Sequence, residues 1–273
     1  MLDERVARAA KTLRADGSRL RLRPWAGETG TSLLILLTSG TAASDAAVAA
    51  SIEWARAQGY LRIRTAALSH AEVAPFLRAG FEPRQQLALL CRPMPRQPPG
   101  DLDAALLRPP RPMPPPLSRP SGSLDIRRAR RRHQPSVLAV DHAAFQPFWR
   151  LDPAGLREAL RATPFRRFRV VCEHSGHRHS GQKGQALAGY SISGRSGQAG
   201  YLQRLATSPS HQGQGIGAAL VIDGLRWMAR GGATHAWVNT PHKNTAALRL
   251  YRRLGFELIP PGLQVLERQI IGP

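Results

Sequence analysis

Eleven of the chain's 23 prolines fall between residues 93 and 123, including the runs Pro98-Pro99, Pro109-Pro110 and Pro114-Pro115-Pro116. Proline fixes φ and has no amide proton, so neither a helix nor a central strand can run through such a stretch. It behaves as an extended spacer. The chain is therefore expected to fold as two bodies, 1–92 and 124–273, joined by a linker over 93–123. The length of 273 residues agrees with this, because single cores usually stop growing at ~100 to ~200 residues.

An apolar content of 42% is enough to fill two cores and excludes a wholly disordered chain. No run reaches the ~18 apolar residues of a membrane span. The greasiest stretch, 33–37, is closed by Thr38, Ser39 and Gly40 and reads as a buried strand. The opening residues mix Asp3, Glu4, Arg5, Arg8 and Lys11 with apolar ones and lack the apolar centre of a secretory signal, so a cytoplasmic location with no membrane partner is expected. Cys91 and Cys172 each sit in an apolar run and are expected to be buried thiols.

The net charge of +21 comes almost wholly from arginine, since only Lys11, Lys183 and Lys243 are lysine, and it is spread along the chain. Arg127, Arg128, Arg130, Arg131 and Arg132 invite a nucleic-acid reading. No aromatic residue is interleaved to stack bases, however, and 126–129 reads as a strand, so a solvated face is favoured over nucleic acid. His174, His177 and His179 have no Cys or carboxylate to complete a ligand set, and no metal site is expected.

Beyond the spacer, 124–128 reads as a strand, 135–145 and 153–161 as helices, and 165–173, 186–193 and 199–207 as three strands joined by Gly and Ser turns. A helix over 217–230, a strand over 235–240, a helix over 244–254 and a last strand over 265–270 follow. The fold class is α/β, a mixed and mostly antiparallel sheet with helices on both faces. Between the third strand and its helix lie Gly213, Gln214, Gly215, Ile216, Gly217 and Ala218. Glycines just before an apolar helix let successive backbone N–H groups turn toward one point, which with the helix dipole makes an anion site. The spacing is neither that of a P-loop nor the dinucleotide fingerprint, whose third glycine would fall at Ala218.

Leu205-x-Thr207-x-Pro209, then Gln212-Gly213-x-Gly215-x-Gly217, then Asn244 with Tyr251 seven residues on and Gly255-Phe256 beyond, together resemble the acetyl-CoA site of the GNAT N-acetyltransferase superfamily. The resemblance covers 124–271. It implies that the pyrophosphate of acetyl-CoA sits on Gly213 to Ala218. It also implies that the pantetheine pairs with a splayed strand at Leu205, Ala206 and Thr207, whose N–H groups polarise the acetyl carbonyl. By the same likeness Asn244 hydrogen-bonds the cofactor's arm, and Tyr251 is the general acid that protonates the departing thiolate. Relatives acting on protein N-termini often carry a basic Glu five residues before the Asn; here that position is Asn239, so deprotonation through ordered water, Glu173 or His174 is left open and no residue is assigned as the base.

The first half repeats part of the second. Trp54, Gly59, Phe76, Gly80, Phe81 and Glu82 match Trp227, Gly232, Tyr251, Gly255, Phe256 and Glu257, with two residues inserted in the later copy. The glycine turn is replaced by Thr41-Ala42-Ala43-Ser44-Asp45, and Phe76 stands in place of the tyrosine. The resemblance therefore implies tandem GNAT-like domains, the first a degenerate copy without a cofactor. The implied activity is transfer of the acetyl group of acetyl-CoA to a primary amine by direct attack. The competing reading is a non-catalytic CoA-binding or RNA-associated module.

Overall fold

The computed structural model describes residues 10–25, 28–38, 40–94, 125–172 and 186–270. Most of the spacer, the histidine-rich stretch, Glu173 and His174 lie outside the described residues. The chain divides into two compact units, one of residues 1–89, 241–243 and 259–273, the other of 90–240 and 244–258.

The first unit opens on a hairpin, β1 (Lys11–Ala15) and β2 (Ser18–Pro24), turned by Asp16 and Gly17, both at positive φ. Strand β3 (Thr31–Leu36) pairs antiparallel with β2, and α1 (Asp45–Ala57) crosses to β4 (Arg62–Thr65), which pairs parallel with β3. A parallel pair needs such a crossover helix. A short β5 (Leu68–Ser69), α2 (Ala74–Arg78) and a long β6 (Glu82–Pro93) follow. Val48, Ile52 and Ala55 on one face of α1 close over Leu20, Leu22, Leu34, Ile63 and Phe76, all buried. At 25 cal/mol per Å² such burial is the main force holding the unit.

The second unit begins with an edge strand, β7 (Ile126–Arg128), then α3 (Gln134–Ala144) and α4 (Pro153–Ala159). Three antiparallel strands follow, β8 (Phe165–Cys172), β9 (Leu187–Ser196) and β10 (Ala199–Thr207). Then come α5 (Ile216–Arg230), β11 (His235–Pro241), α6 (Thr245–Arg253) and β12 (Glu257–Leu258). The strands run β11-β10-β9-β8-β7. Val137 and Val140 of α3 pack on Val170, Tyr190, Ile192 and Ala206, while Ile216 and Leu220 of α5 pack on Val171 and Ala188. Adjacent strand residues thus serve opposite faces, as the period of two requires, and helices cover both. The ends of these elements agree with the sequence expectations to within three residues. Cys91 and Cys172 are free and buried, and burial pushes both thiols up.

The last strand, β13 (Leu263–Gln269), differs from the expected division. It pairs antiparallel with β4 and β6, so the chain's end completes the sheet of the first unit, whereas the sequence boundary had placed all of 124–273 together. Arg64 of β4 supplies the physical reason. Its guanidinium is buried, donates to Glu267 through Nε at 2.8 Å and to Glu28 at 3.0 Å, and stacks on Trp25. A buried cation of this kind requires its carboxylates, so β4 and β13 are bound in one register. Among the described residues no helix is long and apolar enough to cross a membrane.

Candidate active site

Strands β10 and β11 pair only at their beginnings, where Ala199, Gly200 and Tyr201 face His235, Ala236 and Trp237. On its other edge β10 stays paired with β9 as far as Thr207. From Leu202 onward the edge toward β11 has no ladder partner among the described residues. The opening coincides with a register shift between Leu202 and Arg204, a bulge at Gln203 that turns the strand. The backbone N–H and C=O groups along 202–207 that point away from β9 are left available for another extended chain or ligand.

At the end of this edge the backbone turns on glycine. Gly213 and Gly215 both adopt φ of +79°, where a side chain is strained, and Gly215 caps α5 in the left-handed conformation with no side-chain hydrogen bond. The first bond at the head of the helix runs from the Ala219 N–H to the Gly215 carbonyl at 3.0 Å. The N–H groups of Ile216, Gly217 and Ala218 therefore have no partner within the helix. With the helix dipole behind them they form a cradle for an anion, and the residues present fit a diphosphate.

Of the expected residues, Thr207 and Gly217 lie side by side. A methyl at Gly217 would lie 3.4 Å from Leu250 Cδ2 and 3.7 Å from Thr207 Oγ1, so the end of β10, the head of α5 and the middle of α6 meet. Leu205 packs its side chain on the core shared with Ile216 and Leu220, and Ala206 is buried on the opposite face. Ile216 is buried as well, which leaves only its backbone for a ligand. Gln214 turns its amide back on the turn and donates to the Ser210 carbonyl at 3.3 Å.

Asn244 caps α6, its Oδ1 accepting from the Ala247 N–H at 3.1 Å. The carbamoyl oxygen is thus engaged, and the amide N–H₂ is the part of the side chain left for other partners. Tyr251 is buried, its ring 5.6 Å from that of Phe256, and burial pushes its phenol well above the ordinary value, so the hydroxyl stays protonated. Asn239 is exposed on β11 and offers no basic group.

Behind the open strand lies a cluster the sequence reading missed. Asp141 of α3 is fully buried and accepts from the Tyr190 hydroxyl, from Arg204 Nε at 2.8 Å and from the Leu151 N–H at 2.7 Å. Arg204 also donates to the Trp149 carbonyl at 2.5 Å and lies over the Phe145 ring, 3.6 Å from its centroid. The segment from Phe145 to Leu151 is thereby fastened to β10 beside the bulge. The three donors to Asp141 come from the Phe145–Leu151 segment, β9 and β10, so Asp141 ties these elements together. The one available signal was Asp141 beside Val137 and Val140 on the buried face of α3.

Residues 142–256 match the acetyltransferase (GNAT) family. A mycothiol acetyltransferase of Acidothermus cellulolyticus is 34% identical over 115 residues, 42% of this chain and 33% of its own. A streptothricin acetyltransferase of Streptomyces lavendulae is 33% identical over 55 residues, 20% of this chain and 29% of its own. The matches thus span about a third of the length of these curated relatives. A tandem GNAT protein from the clavulanic acid biosynthesis pathway shares the fold with a TM-score of 0.61 at 19% identity, over 95% of this chain and 82% of its own. A GCN5-related N-acetyltransferase from Kribbella flavida does so at 0.55 and 18%, over 97% and 91%.

Proposed function

We propose, from the match of residues 142–256 to the acetyltransferase (GNAT) family, that the chain is an acyltransferase that binds acetyl-CoA in the second unit and acetylates a primary amine. The observation that carries this reading is the opening of β10 from β11 beside a glycine-capped, side-chain-free helix start. Acetyl-CoA would supply the acetyl group already activated as a thioester. The backbone N–H groups of Ile216, Gly217 and Ala218 bind the diphosphate, and Gly213 and Gly215 keep side chains out of its way. The free edge at Leu205, Ala206 and Thr207 pairs with the extended arm, and an N–H there stabilises negative charge on the acetyl oxygen. The Asn244 amide donates to the same arm. Tyr251 holds a proton at its Oη for the departing sulfur, and its burial keeps that proton in place at neutral pH. Arg204 and Asp141 fasten the Phe145–Leu151 segment behind this strand and so fix its curvature.

Two relatives, one named a mycothiol acetyltransferase and one a streptothricin acetyltransferase, support acetyl transfer to a small molecule, and the acceptor is to be found by experiment. The test is a panel of primary amines offered to the full chain with acetyl-CoA, reading free thiol. Thiol release that depends on one class of amine supports the proposal. A chain that binds acetyl-CoA and releases no thiol with any amine contradicts it.

A further inference from the structure

Five arginines occupy six consecutive positions, Arg127, Arg128, Arg130, Arg131 and Arg132. Four of them, with His133, line a cavity of about 310 Å³. Arg127 is paired with Asp125, while the side chains of Arg128, Arg130 and Arg132 have no carboxylate partner among the described residues. His133 forms the buried wall, 7% exposed. Its Nδ1 accepts from the Arg130 N–H at 3.0 Å, so in the neutral ring Nε2 carries the proton and is a donor. Burial, then the charges of Arg132, Arg130 and Arg127, hold the ring below the ordinary histidine value. No aromatic residue lines the cavity, so nothing there stacks a nucleic-acid base.

We infer that this cavity is a second anion site, built for a compact diphosphate group. Guanidinium forks match phosphate oxygens bidentately, and three uncompensated charges suit an anion of about three negative charges better than a single phosphate. The site is separate from the glycine turn. Strands β9 and β8 stand between β10 and β7, about 14 Å at ordinary strand spacing. The inference therefore does not depend on the acyltransferase reading.

Calorimetry with inorganic pyrophosphate on the full-length Gly215→Glu variant tests it, because that change removes the glycine turn as a competing site. Saturable binding is expected. Arg130→Gln and Arg132→Gln, added singly, should each weaken it by about 10-fold, the range for a lost charge-assisted hydrogen bond, with an unchanged melting temperature. In ¹H–¹⁵N spectra the His133 ring should gain proton affinity as pyrophosphate fills the site. Absence of binding, or binding indifferent to both substitutions, overturns the proposal. A single-stranded oligonucleotide binding more tightly than pyrophosphate through the same arginines would replace it with a nucleic-acid surface.

Discussion

Helix pairs α1/α2 and α5/α6 are built alike down to single hydrogen bonds. Gln58 and Gly231 each donate back to the tryptophan of their helix, Trp54 at 3.0 Å and Trp227 at 3.2 Å. Tyr60 donates to Ala55 and Ala233 to Met228, both at 3.0 Å, past glycines 59 and 232 at positive φ. Phe81 donates to Phe76 and Phe256 to Tyr251, again at 3.0 Å, with ring separations of 5.4 and 5.6 Å. The two units part company at the strands and at the helix start. All four residues of β4 pair with β3, but only three of the seven in β11 pair with β10. Helix α1 is capped by Ser44, whose hydroxyl accepts from the Ala47 N–H at 3.1 Å, and Asp45 stands in its first turn. A side chain and a negative charge thus occupy the place where α5 presents bare N–H groups. One frame serves both units, and under the proposed function the chemistry rests on whether the edge and the helix start are left open.

The largest effect should come from closing the second unit's helix start. Gly215→Glu forces a side chain and a negative charge into the cradle, and acetyl-CoA affinity should fall by roughly 100-fold or more, about 2.7 kcal/mol. The matching change in the first unit, Ser44→Glu at the cap of α1, should leave affinity unchanged. Calorimetry on both variants gives the comparison, and equal effects would end the distinction between the units.

Next in size is the exchange of aromatic residues. Tyr251→Phe keeps the ring against Phe256 and removes the proton donor, so turnover should drop by about 100-fold while acetyl-CoA affinity holds. Phe76→Tyr should add no activity, and burying a hydroxyl in that core should cost about 1–3 kcal/mol in chemical denaturation. Loss of affinity together with turnover in Tyr251→Phe would recast the residue as packing.

The pH dependence sharpens the same point. Because burial raises the Tyr251 pKa, its neutral form persists past the ordinary phenol value of about 10. No alkaline loss of kcat from this group should appear below that pH. A limb near pH 8 that vanishes in Tyr251→Phe would contradict the assignment.

The smallest expected effect separates two uses of Asn244. Asn244→Ala should lose the cap of α6, about 1 kcal/mol of stability, as well as a few-fold in acetyl-CoA affinity. Asn244→Asp keeps an oxygen to cap the helix but no amide donor, so it should retain stability and lose affinity alone. Thermal melts and titrations of the two variants decide it.

Much of this was legible because it is local. The glycine turn, the apolar period of α5 and the Gly255-Phe256 stop of α6 are each written within a few residues. The partnership of Arg64 with Glu267 spans 203 positions, and nothing local to either announces it. That is why the return of β13 to the first unit escaped the proline boundary. The Asp141–Arg204–Tyr190 cluster was hidden for the same reason, since its members come from α3, β10 and β9 and only the folded register brings them together.

Amide hydrogen exchange on the full chain, with and without acetyl-CoA, tests the central claim most directly. If the open edge and bare helix start are the site, acetyl-CoA should slow exchange across 205–218 and leave 41–48 unchanged. Protection across 41–48, or none across 205–218 in a chain that binds acetyl-CoA, would contradict it.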